Sequence, residues 1–314
     1  MKVLSKHKNL RFGEPSPQNS STVSWRHLFL SMRPVHWIKN AFVFVALLFS
    51  HHLFNMAAVI ESACVFGIFC LASSAIYMIN DIFDRADDAK HPSKWMRPIT
   101  RGLVTIPHAI VFSSVLGSAA IILSFTVQTV VGEVILAYLV LNLFYSFFLK
   151  KIAIVDVLII GLGFVLRVLA GASVLSYDVS NWILISTFFL AALIAFCKRR
   201  YEIMSDHSSV HFERGYSPYF LDMLIVTLAA SVIGSYIFYV ISRGQWQNGI
   251  AVMLSVLSVF YGVIRYLLII YRNEEKLDHT QLILSDKPLL ASVIIWIGLS
   301  VIEMYYINPG LQFN

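Results

Sequence analysis

Long apolar runs separated by short polar segments fill most of the chain after its first 30 or so residues. A helix that crosses a bilayer needs about 17–25 predominantly apolar residues, and the runs have this length. They lie at about 38–55, 58–80, 107–129, 132–149, 152–176, 180–199, 217–241, 248–271 and 288–308. The pattern predicts an all-α polytopic membrane protein with about nine transmembrane helices.

The composition agrees with this interpretation. Hydrophobic residues make up 58% of the chain and charged residues 13%, whereas soluble domains have about 45–50% and about 25%. Residues 1–30 are basic and rich in serine, without an apolar core of signal-peptide length. We therefore expect a disordered cytosolic tail at 1–30 and a transmembrane domain at 31–314. The three cysteines have no CxxC spacing, so neither a disulfide framework nor a zinc site is expected.

The distribution of basic residues indicates how the helices are oriented, because cytosolic loops of membrane proteins are enriched in Lys and Arg. If the first run leaves the cytosol, the loops on the far side contain one basic residue, Arg243. Cytosolic loops then explain the net charge of +6 without a nucleic-acid partner. We expect a multi-pass protein of the inner (cytoplasmic) membrane, with its N-terminus in the cytoplasm, its C-terminus outside and its active site on the cytosolic side.

A cluster of acids follows the second apolar run. On a continuing helix Asp81, Asp84 and Asp88 lie at i, i+3 and i+7 and share one face, with Asn80 beside Asp84. Such carboxylates repel each other, and a divalent cation removes the repulsion. Mg²⁺ takes one or two carboxylates and completes its coordination with water and phosphate oxygens. The spacing predicts a Mg²⁺ site at these four residues, with a catalytic role for the acids; the alternative is a solvated acidic loop.

Basic residues near the acids predict an anion site. Lys94 and Arg97 follow the acids, and their charged groups suit the oxygens of a metal-bridged diphosphate. Lys39 and Asn40 begin the first run, and if they turn inward they would bind a phosphate and orient substrate or metal-bound water. Anchoring at the membrane interface is the alternative for this segment, and cytosolic topology alone also supplies bases.

Polar residues around the fourth and fifth runs are further candidates for substrate binding. Tyr145 and Lys151 lie between these runs, and Asp156 and Arg167 lie within the fifth. Asp156 and Arg167 are about three turns apart and share a face without touching. Ionised groups within a span usually face a polar cavity, and structural pairing with another helix is the alternative. Glycines of the same run are expected to allow close helix packing.

A second charged segment follows the sixth run. Glu202 lies four residues after Lys198 and four residues before Asp206, so one helical face presents an acid between bases. Arg199 and Tyr201 belong to the same segment and are further candidates for substrate binding. The pattern predicts a second phosphate or metal site with Glu202 in a catalytic role; a basic stop at the cytosolic face is the alternative.

These segments resemble the UbiA superfamily of intramembrane prenyltransferases. The signature is Asn-Asp-x-x-Asp-x-x-x-Asp at 80–88, and the likeness covers essentially the whole chain after the tail. It implies helices arranged around a central cavity that is open to lipid and cytosol. Within the superfamily, the chain most resembles the decaprenyl-phosphate phosphoribosyltransferase branch. This likeness is carried by residues 80–102, by Arg-Pro-x-x-Trp-x-Lys-Asn at 33–40 and by Lys-Arg-x-Tyr-Glu at 198–202.

The resemblance implies a Mg²⁺-dependent transferase that acts on 5-phosphoribosyl 1-diphosphate and a polyprenyl phosphate and releases diphosphate. The product would be a precursor of cell-envelope glycans.

Aromatic prenyltransferases of the superfamily carry a second Asp-x-x-x-Asp motif, whereas this chain has Glu202-x-x-x-Asp206 preceded by three bases. The additional bases suit two phosphorylated substrates, because each substrate brings negative charge. The alternative is an aromatic or quinone-pathway prenyltransferase with a prenyl diphosphate donor. A transporter fits less well, because the charges gather at one face. Prenyl chain length and oligomeric state, a homo-oligomer included, stay open.

Overall fold

The computed structural model describes residues 24–90, 94–205, 215–242, 249–272 and 285–307. Within these ranges the fold is helical, as predicted, and eight helices are long and apolar enough to cross a membrane. The helices are α1 (Trp25–Ser31), α2 (Pro34–Phe49), α3 (Met56–Phe83), α4 (Arg85–Asp88), α5 (Ile106–Val127), α6 (Thr129–Phe147), α7 (Val155–Val174), α8 (Asn181–Ser205), α9 (Pro218–Ser242), α10 (Ile250–Arg272) and α11 (Lys287–Ile302). A π-helical turn at Glu303–Ile307 continues α11.

The first apolar run forms a shorter helix than the eight spans. α2 is 3₁₀-helical at Pro34–Val43 and α-helical at Phe44–Phe49. A 3₁₀-helix rises about 2.0 Å per residue against about 1.5 Å in an α-helix, so α2 is about 29 Å long, close to the ~30 Å of a hydrocarbon core. The predicted end near residue 55 is too late, because the chain turns after Phe49 and His51 takes a left-handed backbone (φ 59°). The count of nine spans stays a prediction.

The acid motif lies where α3 ends. The Asp84 N–H donates to the Asn80 carbonyl (2.8 Å), and the Asp88 N–H donates to the Asp84 carbonyl (2.8 Å). Helical hydrogen bonding therefore carries across Asp84 into α4, although Asp84 itself departs from helical geometry. The predicted continuous helix is interrupted at this one residue, so the three acids stay at one end of the bundle.

α7 lies at the centre of the bundle and packs against α2, α3, α6 and α8. Its buried residues belong to three apolar clusters, through Val157, Ala170 and Val168. A side chain at Gly171 would collide with the backbone carbonyl of Val43 on α2. The expectation that glycines of this helix allow close packing is confirmed at Gly171.

The charged segments come together because successive spans alternate in direction. α3, α6 and α8 end at one face of the bundle, and α5, α7 and α9 begin there. Ion pairs between these segments, such as Lys150 with Asp84 and Arg199 with Asp156, confirm that they meet. The candidate site is thus assembled from helix ends that are far apart in the chain.

Candidate active site

Acids and bases form a first charged cluster where α3 ends. Asp81 is 1% exposed and pairs with Arg33 and with Arg97, whose Nη1 lies 3.1 Å from Asp81 Oδ1. Arg97 also pairs with the buried Asp88, so its guanidinium bridges two acids of the motif. Buried carboxylates need such partners, because an unpaired buried charge is strongly unfavourable. The cluster consists of Arg33, Asp81, Asp84, Asp88, Arg97 and Lys150.

Asp84 pairs with Lys150, a residue of the 3₁₀ turn Leu149–Lys151 between α6 and α7. Lys151, the neighbour predicted to bind substrate, is exposed. Successive side chains of a 3₁₀ turn point about 120° apart, so the sequence alone does not show which lysine reaches the acid. Arg33 was likewise not among the predicted site residues, although its motif at 33–40 was recognised.

Asn80 and the acids of the first charged cluster suit a Mg²⁺ ion that is shared with a substrate. The Oδ1 atom of Asn80 is buried and has no hydrogen-bond partner among the described residues, and an amide oxygen is a ligand for hard cations. Within the same part of the chain, no three His, Cys, Asp or Glu side chains form a metal-binding group. Mg²⁺ takes one or two carboxylates and keeps water and phosphate ligands. The residues therefore fit an ion bridged to a diphosphate better than one enclosed by protein.

A second charged cluster, Asp156, Arg199, Glu202 and Tyr216, lies where α7 begins and α8 ends. Arg199 is 7% exposed, and its Nε donates to Asp156 Oδ2 (3.0 Å) while its Nη1 donates to Glu202 Oε2 (3.1 Å). Asp156 is fully buried, and the Tyr216 hydroxyl donates to its Oδ1 (3.2 Å). Burial raises the pKa of Tyr216 to about 12, so this hydroxyl keeps its proton at neutral pH. No sequence motif had pointed to Tyr216.

Lysines from three segments converge beside the second charged cluster. Lys198 Nζ lies 4.0 Å from Glu202 Oε1, and the positive charges of Lys39 and Lys94 are close enough to act on Lys198. Tyr145 is similarly close to Arg199. Like charges brought together repel, so this region is suited to an anion. Parts of α2, of the segment after α4 and of the end of α8 thus lie near one another.

Two other predicted site residues meet deeper in the bundle. Arg167 Nε donates to Asn40 Oδ1 (2.8 Å), and Arg167 Nη2 donates to the hydroxyl of Tyr138 (3.0 Å), a residue that the sequence had not suggested. Asn40 in turn donates to Ser73 Oγ (3.2 Å). Asn40 and Arg167 are both buried, and these contacts tie α2, α3, α6 and α7 together. Their contact with substrate stays a prediction, and the contacts seen are structural.

The remaining predicted site residues and one further ion pair lie near the same ends of the helices. The alternative given for Asp156 and Arg167, pairing with another helix, is what the structure shows: Asp156 pairs with Arg199 of α8, and Arg167 donates to Asn40 of α2. Tyr201 is half-buried on α8, and Asp206 lies outside the described residues. Outside the two clusters, an ion pair joins α10 to the start of α11, where Arg265 Nη2 lies 2.8 Å from Asp286 Oδ2.

Comparison with known proteins agrees with this architecture. Residues 40–285 match the sequence model of the UbiA prenyltransferase family. The chain belongs to this family. Two similar proteins are decaprenyl-phosphate phosphoribosyltransferases. That of Corynebacterium glutamicum is 28% identical over 88% of this chain and 86% of its own length; that of Mycolicibacterium smegmatis is 27% identical over 89% and 92%.

Solved UbiA structures share the fold. A UbiA homolog from Archaeoglobus fulgidus bound to GPP and Mg²⁺ superposes with a TM-score of 0.68 at 15% identity, over 89% of this chain and 99% of that one. The present UbiA-family chain is therefore an integral multi-pass membrane protein and a transferase.

Proposed function

We propose that this UbiA-family transferase moves 5-phosphoribose from 5-phosphoribosyl 1-diphosphate to the phosphate of a polyprenyl lipid and releases diphosphate. The observation that carries the proposal is the pair of charged clusters at one face of the bundle, each of which suits a different phosphorylated group. The names of the two bacterial relatives support the same substrates. The product would serve as a precursor of cell-envelope glycans.

The charges at the site favour two polyanionic substrates over one. A prenyl diphosphate with a neutral aromatic acceptor brings one polyanion, whereas a phosphoribosyl diphosphate with a lipid phosphate brings two. The first charged cluster has acids for a metal-bridged diphosphate. Beside the second cluster, Lys39, Lys94 and Lys198 come together and Arg199 is fixed between acids. This second concentration of bases has no evident use for a neutral acceptor.

In the proposed reaction the bond between the anomeric carbon and the diphosphate breaks, and diphosphate leaves with the electron pair. A new bond joins the anomeric carbon to an oxygen of the lipid phosphate. Asn80, Asp81 and Asp84 would hold Mg²⁺, which when bound supplies charge neutralisation for the leaving diphosphate. Arg97 and Lys150 lie beside these acids and would bind diphosphate oxygens. The lipid phosphate is already an anion, so its attack needs no strong general base.

The lipid acceptor would approach along α2. Val35 and Ile38 on the 3₁₀ part of α2 are apolar and exposed, and Lys39 directly follows Ile38. A prenyl chain in the bilayer could therefore lie against this face while its phosphate reaches Lys39 and Arg199. In this arrangement the reaction would take place at the cytosolic end of the spans, with the N-terminus on the same side of the membrane.

A donor competition assay tests the proposal. Purified protein in lipid nanodiscs with Mg²⁺ would receive either 5-phosphoribosyl 1-diphosphate and a polyprenyl phosphate, or a prenyl diphosphate and an aromatic acid. Mass spectrometry of the extracted lipids would identify the product. We expect a phosphoribosylated lipid phosphate with the first pair and no prenylated aromatic with the second. The reverse result would replace the proposal with an aromatic prenyltransferase.

A further inference from the structure

Tyr216 joins two chain segments that carry the second charged cluster. The residue lies just before α9 and is 3% exposed. Its hydroxyl oxygen accepts a hydrogen bond from the Ile154 N–H (2.5 Å), and its O–H donates to Asp156 Oδ1 (3.2 Å). A single side chain thus contacts both the turn that precedes α7 and the buried acid of α7, Asp156.

The turn that Tyr216 contacts has a strained backbone. Ile154 has φ 69° and ψ −49°, and the Val155 N–H donates to the Ala153 carbonyl two residues back (2.8 Å). This is a γ-turn with positive φ, a rare conformation that is especially unfavourable for a β-branched residue. Strain of this kind persists only where surrounding contacts hold it. The hydrogen bond from Ile154 to Tyr216 is such a contact.

The turn matters because it sets the position of Asp156, and Asp156 orients Arg199. Arg199 is held on one side by Asp156 Oδ2 (3.0 Å) and on the other by Glu202 Oε2 (3.1 Å). Among the described residues, these two bonds use one N–H of Nε and one of Nη1. The two N–H groups of Nη2 and the second N–H of Nη1 are therefore the donors that remain for a phosphate oxygen.

We propose that Tyr216 is a positioning residue of the phosphate site, which fixes the strained turn at Ile154 and, through Asp156, aims the Arg199 guanidinium at the phosphate of the lipid acceptor. The identity of that phosphate rests on the proposed function. The hydrogen-bonded chain from Ile154 through Tyr216 and Asp156 to Arg199 is independent of the proposed function.

The Tyr216→Phe substitution isolates the hydroxyl, because the ring stays to pack edge-on against Phe196 (centroids 6.2 Å apart). Tyr236→Phe is the matched control. The Tyr236 hydroxyl is also buried and bonded to Ser255 Oγ (3.2 Å) and Trp296 Nε1 (3.0 Å), but it lies away from both charged clusters. The two variants remove the same group from comparable surroundings.

Two measurements test the role of Tyr216. Hydrogen exchange of peptides covering residues 149–158 should become faster in Tyr216→Phe and stay unchanged in Tyr236→Phe, because the Ile154 N–H loses its acceptor. The Kd for farnesyl phosphate, a short lipid phosphate, should rise about two- to tenfold in Tyr216→Phe only, the equivalent of one ordinary hydrogen bond. A rise in KM for the acceptor with little change in kcat would accompany it.

A variant that removes the backbone strain at Ile154 provides the decisive test. Ile154 is exposed, and glycine adopts positive φ without strain, so Ile154→Gly should remove much of the need for the hydroxyl. Tyr216→Phe should then weaken farnesyl phosphate binding less in the Ile154→Gly background than alone, and the double variant should fold even if Tyr216→Phe does not. Unchanged exchange at 149–158, or equal Kd and Tm changes in Tyr216→Phe and Tyr236→Phe, would overturn the proposal. A chain that uses a prenyl diphosphate donor would instead refute the proposed function, while the exchange readout would still decide the role of Tyr216.

Discussion

The two charged clusters are built with opposite polarity. In the first, the acids at the end of α3 are paired with bases from other segments, Arg33, Arg97 and Lys150. In the second, one base, Arg199, is held between acids of α7 and α8. A base from another segment can leave its acid when a cation arrives, whereas an arginine bonded on both sides keeps its direction. We expect the first cluster to rearrange around Mg²⁺ and a diphosphate, and the second to bind a phosphate without rearranging.

The largest effect is expected at Asp84, the acid in the middle of the first cluster. Asp84→Ala should reduce transfer about 10²–10³-fold or more, because it removes both a proposed metal ligand and the charge that places Lys150. The side chain is 35% exposed, so the variant should stay folded in detergent. Turnover and size-exclusion chromatography measure the two properties.

Asp87→Ala is the matched control for Asp84→Ala. Asp87 lies on α4 and is exposed, so its loss changes the net charge equally and should leave turnover near the wild-type value. If Asp84→Ala kept its turnover, the metal-binding role of the first cluster would be wrong.

A smaller effect should separate the clusters by their dependence on Mg²⁺. Asn80→Ala removes the amide oxygen that has no hydrogen-bond partner among the residues that the structure describes, and the Mg²⁺ concentration for half-maximal activity should rise about 10- to 100-fold. Arg199→Lys keeps the charge but loses the planar fork of donors. It should raise the KM for the lipid phosphate and leave the Mg²⁺ requirement unchanged. An equal shift of the Mg²⁺ requirement in both variants would mean that the second cluster also holds a metal ion. The expectation that only the first cluster binds Mg²⁺ would then be wrong.

Most of the fold could be predicted from hydropathy, because a span must be apolar over a fixed length. The run predicted at 58–80 is the helix Met56–Phe83, and the run at 217–241 is Pro218–Ser242. The first run was harder, because an apolar 3₁₀-helix and an apolar α-helix have similar composition. Its predicted range of 38–55 therefore differs from Pro34–Phe49 at both ends.

The candidate site could be predicted as a set of charged segments but not as a set of pairs. Residue spacing along a helix placed the acids of the motif on one face, since that property is local. Which of Lys150 and Lys151 reaches Asp84 depends on the direction of a tight turn, and the role of Tyr216 depends on how the start of α9 meets the start of α7. Such tertiary contacts leave no periodic signal in the sequence.

The smallest effect is expected at the ion pair of Arg265 and Asp286, which lies outside both clusters and tests whether function depends on the two clusters alone. Asp286 caps α11 by accepting the Leu289 N–H (2.8 Å) and pairs with Arg265. Hydrogen bonding from Arg265 lowers the pKa of Asp286 below its usual value, so the pair stabilises the fold above the unfolded-state pKa and this contribution is lost as the pH falls through the lowered value. Asp286→Asn keeps a capping side chain and should lower Tm by about 1–2 °C at pH 7, with the difference shrinking below about pH 4. Turnover per folded molecule should not change. If turnover fell instead, the start of α11 would belong to the site, and a description of the site by two clusters of opposite polarity would be incomplete.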